Sequence, residues 1–187
     1  MSFITAFLLS IALALDGFMT SEAIGNQQKR FTTSILIKVP FIFAVFQGLF
    51  AFIGWWLSIQ ISNASDTTDT YIAFALLAFI GFRMIYESSQ NTESDQSDDL
   101  GATSSVFYLA TISGIDALAV GVSYGLINIE IYALIIIITI ITAIATFVGF
   151  CLGVRKGNVI TRRSKFFSGI IIISLAIKIL TDFYLYD

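Results

Sequence analysis

Two aspartates are where chemistry is first expected in this sequence. Asp16 and Asp116 each interrupt a run of apolar residues, Ile11–Leu15 before the first and Ile112–Ile115, broken by Ser113 and Gly114, before the second. A carboxylate inside a segment that crosses a bilayer costs about 2.5–3.5 kcal/mol on insertion scales, so an acid kept there is a functional candidate by default. Two such carboxylates form an oxygen-rich site of the kind that suits a hard divalent cation such as manganese or magnesium. The chain has no His and one Cys, Cys151, which disfavours imidazole or thiolate coordination of softer metals. Cys151 lies in an apolar run and reads as a small hydrophobe. Glu22 follows Asp16 by six residues, about 120° round a helix of 3.6 residues per turn. It either guides a cation toward one mouth of the site or reaches the membrane interface. Gln47 and Thr142 offer neutral oxygens that either complete a coordination shell or hydrogen-bond between helices. The shell reading is favoured for Gln47.

Basic residues supply a second reading of the same acids. Arg83 with Glu87, and Lys178 with Asp182, have the four-residue spacing of helix ion pairs. Arg83 and Lys178 are deep enough in their runs to neutralise Asp16 and Asp116. Ion pairing and cation binding are compatible: a basic side chain can hold an Asp in the empty state and release it when the cation enters.

Composition dictates the elements that must position these groups. Of 187 residues, 57% are hydrophobic and only 12% are charged, with a mean hydropathy of +0.88. A soluble domain of this size needs a more polar surface, so the bilayer is the solvent. Six apolar runs are visible, roughly 3–24, 39–59, 71–86, 105–127, 131–154 and 166–185. A helical span takes about 20 residues, so six leave only short connections. The runs lack the two-residue alternation of barrel strands, which predicts helices. The first run has no basic residue before it and carries Asp16 and Glu22, which argues against a signal peptide. A net charge of −3 offers no basic surface for nucleic acid. No nucleophile–base set and no phosphate-binding Gly-rich loop with Lys and Ser/Thr is present, so neither an enzyme nor ATP coupling is expected.

Charge asymmetry sets an orientation. Lys29, Arg30 and Lys38 follow the first run, and Arg155, Lys156, Arg162, Arg163 and Lys165 follow the fifth. The second and fourth connections carry no Lys or Arg. Basic residues stay cytoplasmic, which puts both termini outside. The stretch Gly25–Arg30 reads as a turn. The third connection, Ser88–Ser104, carries Glu93, Asp95, Asp98 and Asp99 and reads as a solvated cytoplasmic tether. Asn63-Ala64-Ser65 matches a glycosylation triplet that is too short to use.

The halves resemble each other. Leu15-Asp16-Gly17 matches Ile115-Asp116-Ala117. Gly17, Ser21 and Gly25 match Ala117, Gly121 and Gly125, small residues four apart on one helix face that let membrane helices approach closely. Phe52-Ile53-Gly54-Trp55 matches Phe147-Val148-Gly149-Phe150, and Arg83/Glu87 matches Lys178/Asp182. Three spans per half is an odd number, so the second half must enter the membrane in the opposite sense. The expectation is an all-α membrane protein: six transmembrane helices as two inverted three-helix repeats, residues 1–88 and 105–187, joined by an acidic linker over 89–104. Secondary transporters with this plan bind substrate near the midplane. At 1.5 Å per residue, Asp16 lies about 20 Å from the start of its run and Asp116 about 16 Å from the start of its own, both near the middle of a 30 Å core.

These motifs, with Gly81-Phe82-Arg83-Met84-Ile85-Tyr86-Glu87 and Asp116-Ala117-Leu118-Ala119-Val120-Gly121, make the chain similar to the putative manganese efflux pump (MntP) family of bacteria over nearly its whole length. The resemblance implies a multi-pass bacterial inner-membrane protein that exports manganese, among small exporters related to the lysine-exporter type. Its paired Asp motifs fall on Asp16 and Asp116, and its Arg–Glu block on Arg83 and Glu87. Gln47 stands where the family often has Glu, and Glu22 where an apolar residue is usual. The run Asp116–Gly125 is also similar to a sporulation membrane-protein branch. The expected function is divalent-cation efflux coupled to an ion gradient, of protons, with the cation as cargo and no permanent cofactor. Its partners are lipid and the metal, and a homo-oligomer is compatible. The rivals are export of small amino compounds, with the Asp pair binding an ammonium, and a non-transporting membrane subunit.

Overall fold

The computed structural model describes residues 3–28, 33–62, 66–89, 103–127, 131–156 and 161–186. Among them there are six helices and no strand: α1 (Phe3–Gln28), α2 (Thr33–Ile61), α3 (Asp66–Ser89), α4 (Thr103–Leu126), α5 (Ile131–Lys156) and α6 (Thr161–Tyr186). Each is long and apolar enough to cross a membrane. The chain is an all-α, multi-pass membrane protein. Lys29 and Arg30, the triplet Asn63-Ala64-Ser65 and the acids Glu93, Asp95, Asp98 and Asp99 lie outside the described residues.

The helices outrun the apolar runs. The third begins at Asp66 rather than near Tyr71, and the second at Thr33 rather than Val39. The first continues to Gln28, so residues 25–28 are helix and not the expected turn. Ser89, Thr103 and Ser104, expected in the linker, are helical. Helices of 24–29 residues span about 36–44 Å at 1.5 Å per residue. Their ends therefore reach headgroups and water, where polar side chains cost nothing and hydropathy no longer marks the helix. Pro40 sits inside α2, where it gives up one backbone hydrogen bond.

Close packing follows the small residues. Helices α1 and α5 pack together, as do α2 and α4, and α3 packs on α6. The pattern is unchanged when the two halves are exchanged: α1–α5 becomes α4–α2, α1–α6 becomes α4–α3, and α3–α6 and α2–α5 map onto themselves. The exchange holds for single glycines. A Cβ on Gly54 would sit 2.0 Å from the Leu118 carbonyl oxygen, and one on Gly149 would sit 2.3 Å from that of Phe18. Gly25 meets the backbone of Phe150, whereas Gly125 meets the side chains of Ser58 and Trp55. No Cβ fits that close to a backbone oxygen, so the crossings at Gly25, Gly54 and Gly149 require glycine. Of the stripe expected to pack, Gly17, Ser21, Gly25, Ala117 and Gly121 are buried and Gly125 is partly so.

The α3–α6 crossing sets a different register from the one expected. Gly81 faces Gly169 and Ile173, while Gly169 faces Gly81 and Ile85. This reciprocal contact pairs residues 88 apart. The Arg83/Glu87 to Lys178/Asp182 match pairs residues 95 apart, so packing aligns Arg83 with Ile171 instead.

The buried apolar residues form two clusters. One joins Leu9 and Leu13 of α1, Ala51 of α2, Leu77 and Met84 of α3, Ala117 and Tyr124 of α4, Leu134 and Ile138 of α5, and Ile172 to Ile179 of α6. The other joins Ile24, Val39, Phe43, Val106, Ala110 and Phe150. Along α1, α2, α4 and α5 they occupy opposite halves of the helix, which leaves a level between them.

Candidate cation site

That intermediate level is polar. On α1, Asp16 lies between Leu13 of one cluster and Ile24 of the other. On α2, Gln47 lies between Phe43 and Ala51. On α4, Ser113 and Asp116 follow Ala110, and on α5, Thr142 lies between Ile138 and Phe150. All four helices thus turn oxygen-bearing side chains to the middle of the bundle, where apolar packing would have been cheaper.

Of the two aspartates Asp116 is the more buried, with its side chain 4% exposed. Arg83 Nη1 donates to Asp116 Oδ1 at 2.7 Å, and Arg83 Nε donates to Glu87 Oε1 at 2.8 Å. Helix α3 supplies this arginine because Met84 and Ile80 anchor one side of it in the core, which aims the adjacent face toward α4. The guanidinium uses its planar fork to bridge two carboxylates, a geometry Lys lacks. Arg83 also feels the charge of Asp16. The expected pairing of a midplane Asp with Arg83 is therefore present for Asp116, and Asp16 acts on the same cation. Asp16 itself is half-buried on α1, next to Gly17. Lys178 and Asp182 are both partly buried on α6, one turn apart.

Gln47 serves in two ways. Its Nε2 donates to Ser113 Oγ at 3.2 Å, tying α2 to α4, while its Oε1 is buried with no hydrogen-bond partner. Thr142 Oγ1 has none either. Leaving a buried polar atom unsatisfied costs about 1–3 kcal/mol. Ser113 was not singled out from sequence. The available signal was its place three residues before Asp116, which puts both on one helix face. Tyr124, whose buried hydroxyl also finds no partner, carried no such signal.

Glu22 is completely buried within the bundle. Gly153 packs on its backbone, its Cβ position only 2.0 Å from the Glu22 carbonyl oxygen. Among the described residues, no three His, Cys, Asp or Glu side chains converge in a group that could hold a metal. Asp16, Asp116 and Glu22 are thus not a preformed carboxylate triad. Cys151 is a partly buried free thiol.

Fold and site together define a class: a six-helix membrane protein with ion-paired carboxylates in its core. Comparison narrows it. The family described as Putative manganese efflux pump matches residues 30–180. The protein named Putative manganese efflux pump MntP of Methanosarcina mazei is 37% identical over 97% of both chains. That of Bacteroides thetaiotaomicron is 35% identical over 94% of both. A Clostridium botulinum protein named Putative manganese efflux pump MntP 2 is 32% identical over 96% of this chain and 94% of its own. No solved structure matches. This chain belongs to the putative manganese efflux pump family. The comparisons favour neither the amino-compound exporter nor the sporulation-protein reading.

Proposed function

We propose that this protein exports divalent cations, manganese first among them, across the bacterial inner membrane. The observation that carries the reading is the ion pair at mid-span between Arg83 and Asp116, in a chain whose relatives are named manganese efflux pumps. The groups acting on Arg83 are Asp116, Glu87 and Asp16, three carboxylates against one guanidinium. With all ionised they leave two negative charges, the charge of one divalent cation.

In this reading Arg83 is a tethered counter-ion. In the empty state it neutralises the buried Asp116. A cation entering the middle level draws Asp16 and Asp116 toward itself, and Arg83 falls back on Glu87 alone. Gln47 Oε1 contributes a neutral oxygen, and Glu22 is an acid on the same helix as Asp16 that lowers the cost of a nearby positive charge. Lys178 and Asp182 are a second charged pair, on α6, out of register with Arg83 and Glu87. Nothing in the sequence suggests ATP, so an ion gradient supplies the energy, with proton exchange at the same carboxylates as the simplest form.

The two halves act as inverted repeats in this reading, with the site between them. Three helices per half and a packing pattern that survives exchange of halves support it. The Lys and Arg after α1 and α5 support termini outside the cell. The test is a metal panel. Cells lacking their own manganese exporter are grown in rising manganese, cobalt, zinc or magnesium with and without this protein. Resistance to manganese with lowered cell manganese is expected. Unchanged cell manganese despite normal protein levels would overturn the assignment.

A further inference from the structure

A hydroxyl buried in an apolar helix bundle normally has an easy partner. It turns back to the carbonyl one turn earlier. This chain follows that habit at many positions, although the buried Ser168 hydroxyl on α6 also lacks a partner. Thr20 donates to the Asp16 carbonyl at 3.0 Å and Ser123 to that of Ala119 at 2.9 Å. On α5, Thr139 donates to the Ile135 carbonyl at 2.7 Å and Thr146 to that of Thr142 at 2.6 Å. Thr142 stands between these two, is completely buried, and does not turn back; its Oγ1 has no hydrogen-bond partner. Its methyl group faces α1 instead, 3.7 Å from where a Cβ on Gly17 would sit. Gly17 adjoins Asp16.

The matching place in the other half carries the same anomaly. Gln47 and Thr142 are 95 residues apart, the separation of Gly54 and Gly149, whose backbone contacts are themselves equivalent. Gln47 Oε1 is likewise buried without a partner, while its amide nitrogen is held by Ser113. The carbonyl end of the amide is thereby left open one turn from Asp116. So each half leaves one neutral oxygen without a partner at the same level of the bundle: that of Thr142, whose methyl lies against Gly17 of α1, and that of Gln47, whose amide nitrogen is tied to Ser113 of α4. Two such atoms at equivalent positions, between two apolar clusters, are open to a ligand that accepts lone pairs.

We infer that the Thr142 hydroxyl oxygen is a ligand of the transported divalent cation, paired across the bundle with Gln47 Oε1. This rests on the transport reading above and adds a residue to it. A hard cation takes oxygen ligands and tolerates neutral ones, and two carboxylates with two neutral oxygens bring a charge of −2. Arg83 offers only N–H donors and reaches the Asp116 side. The Thr142 side therefore favours the metal over the tethered guanidinium, which gives the cation a place to arrive before Arg83 lets go.

The test uses the full-length protein in liposomes with Mn2+ as the probe. Equilibrium binding is read from loss of the six-line EPR signal of free Mn2+, and transport from Mn2+ flux. Thr142→Val keeps the shape and removes the oxygen; Thr142→Ser keeps the oxygen and removes the methyl. Thr142→Val is expected to raise the Mn2+ dissociation constant and KM about tenfold with thermal stability no lower than parental, because a partnerless buried hydroxyl is gone. Thr142→Ser is expected to stay within about threefold. A Thr142→Val protein that binds Mn2+ within twofold of the parent overturns the inference, and so does a Thr142→Ser protein as impaired as Thr142→Val. A parental protein that neither binds nor moves Mn2+ overturns the transport reading and this inference with it, so the two failures are told apart by the parental sample.

Discussion

Arg83→Gln and Asp116→Asn should not cost the same, although they remove the two ends of one ion pair. Asp116 is 4% exposed at its side chain and Arg83 is 32% exposed. Without Arg83, a carboxylate with almost no access to water loses the guanidinium bonded to it at 2.7 Å. Removing one partner of a buried pair costs about 3–5 kcal/mol, mostly through the charge left behind. Without the Asp116 charge, Arg83 keeps Glu87 at 2.8 Å. The loss should then be near that of one charged hydrogen bond, about 1.5–3 kcal/mol. For a chain of this length each kcal/mol shifts the unfolding midpoint by about 2–4 °C. The expected loss is therefore roughly 10 °C for Arg83→Gln and about half that for Asp116→Asn. The double variant should lose less than the sum of the single losses, because the buried carboxylate stranded by Arg83→Gln alone is gone. Thermal unfolding of the purified protein in detergent, followed by tryptophan fluorescence and by protease resistance, measures all four corners of the cycle. Equal losses for the two single variants, or strictly additive losses in the double, would refute the argument that Arg83 is there to neutralise Asp116.

Helix spacing gives a second expectation. Gly54→Ala and Gly149→Ala place a methyl 2.0 and 2.3 Å from backbone carbonyl oxygens of α4 and α1, so both should destabilise by about 1–3 kcal/mol, read as a lowered midpoint, whereas Ala145→Gly at a partly buried α5 position should cost under about 1 kcal/mol. Orientation is checked by single cysteines in a Cys151→Ser background. Reagent added outside intact cells should label a cysteine at position 66 and spare those at 95 and 156; labelling at 156 would remove the basis for opposed repeats. Coupling is checked in liposomes, where an imposed pH gradient should drive manganese accumulation with opposite proton flow, and flux indifferent to the gradient would point to facilitated passage or another ion.

The sequence carried the spans because a bilayer imposes a simple demand. Backbone polar groups must be satisfied within the segment, and side chains facing lipid must be apolar, so length and hydropathy reveal each helix. It also carried the close crossings, since only residues such as Gly25, Gly54, Gly121 and Gly149 permit backbone contact, and they recur at fixed spacing. Helix ends were poorly marked because a helix continues into water without any apolar requirement, as Gln28 and Asp66 do. Within the site, the acids stood out as charges in apolar runs. Arg83 and Lys178 stood out as possible partners, but not which acid each would meet. Arg83 sits 33 residues from Asp116, and which Asp it reaches depends on the α3–α4 packing, which no local pattern encodes. The burial of Glu22 was hidden for a related reason: the helix face it occupies is covered by α5, where Gly153 allows close approach. The shift in register at α3–α6 was hidden because a basic residue four before an acid is a common helical pattern and matched by chance, whereas the contact that sets the register is made by Gly81 and Gly169.

The most direct test of the account is manganese flux through the purified protein in liposomes, compared with Asp16→Asn and Asp116→Asn at equal reconstitution and with Asp99→Asn as a hydrated-acid control. The account predicts saturable Mn2+ transport by the parent and the Asp99 variant, and loss of at least about tenfold, near 1.4 kcal/mol of cation stabilisation, in both midplane variants. Parental flux in either folded midplane variant would contradict it.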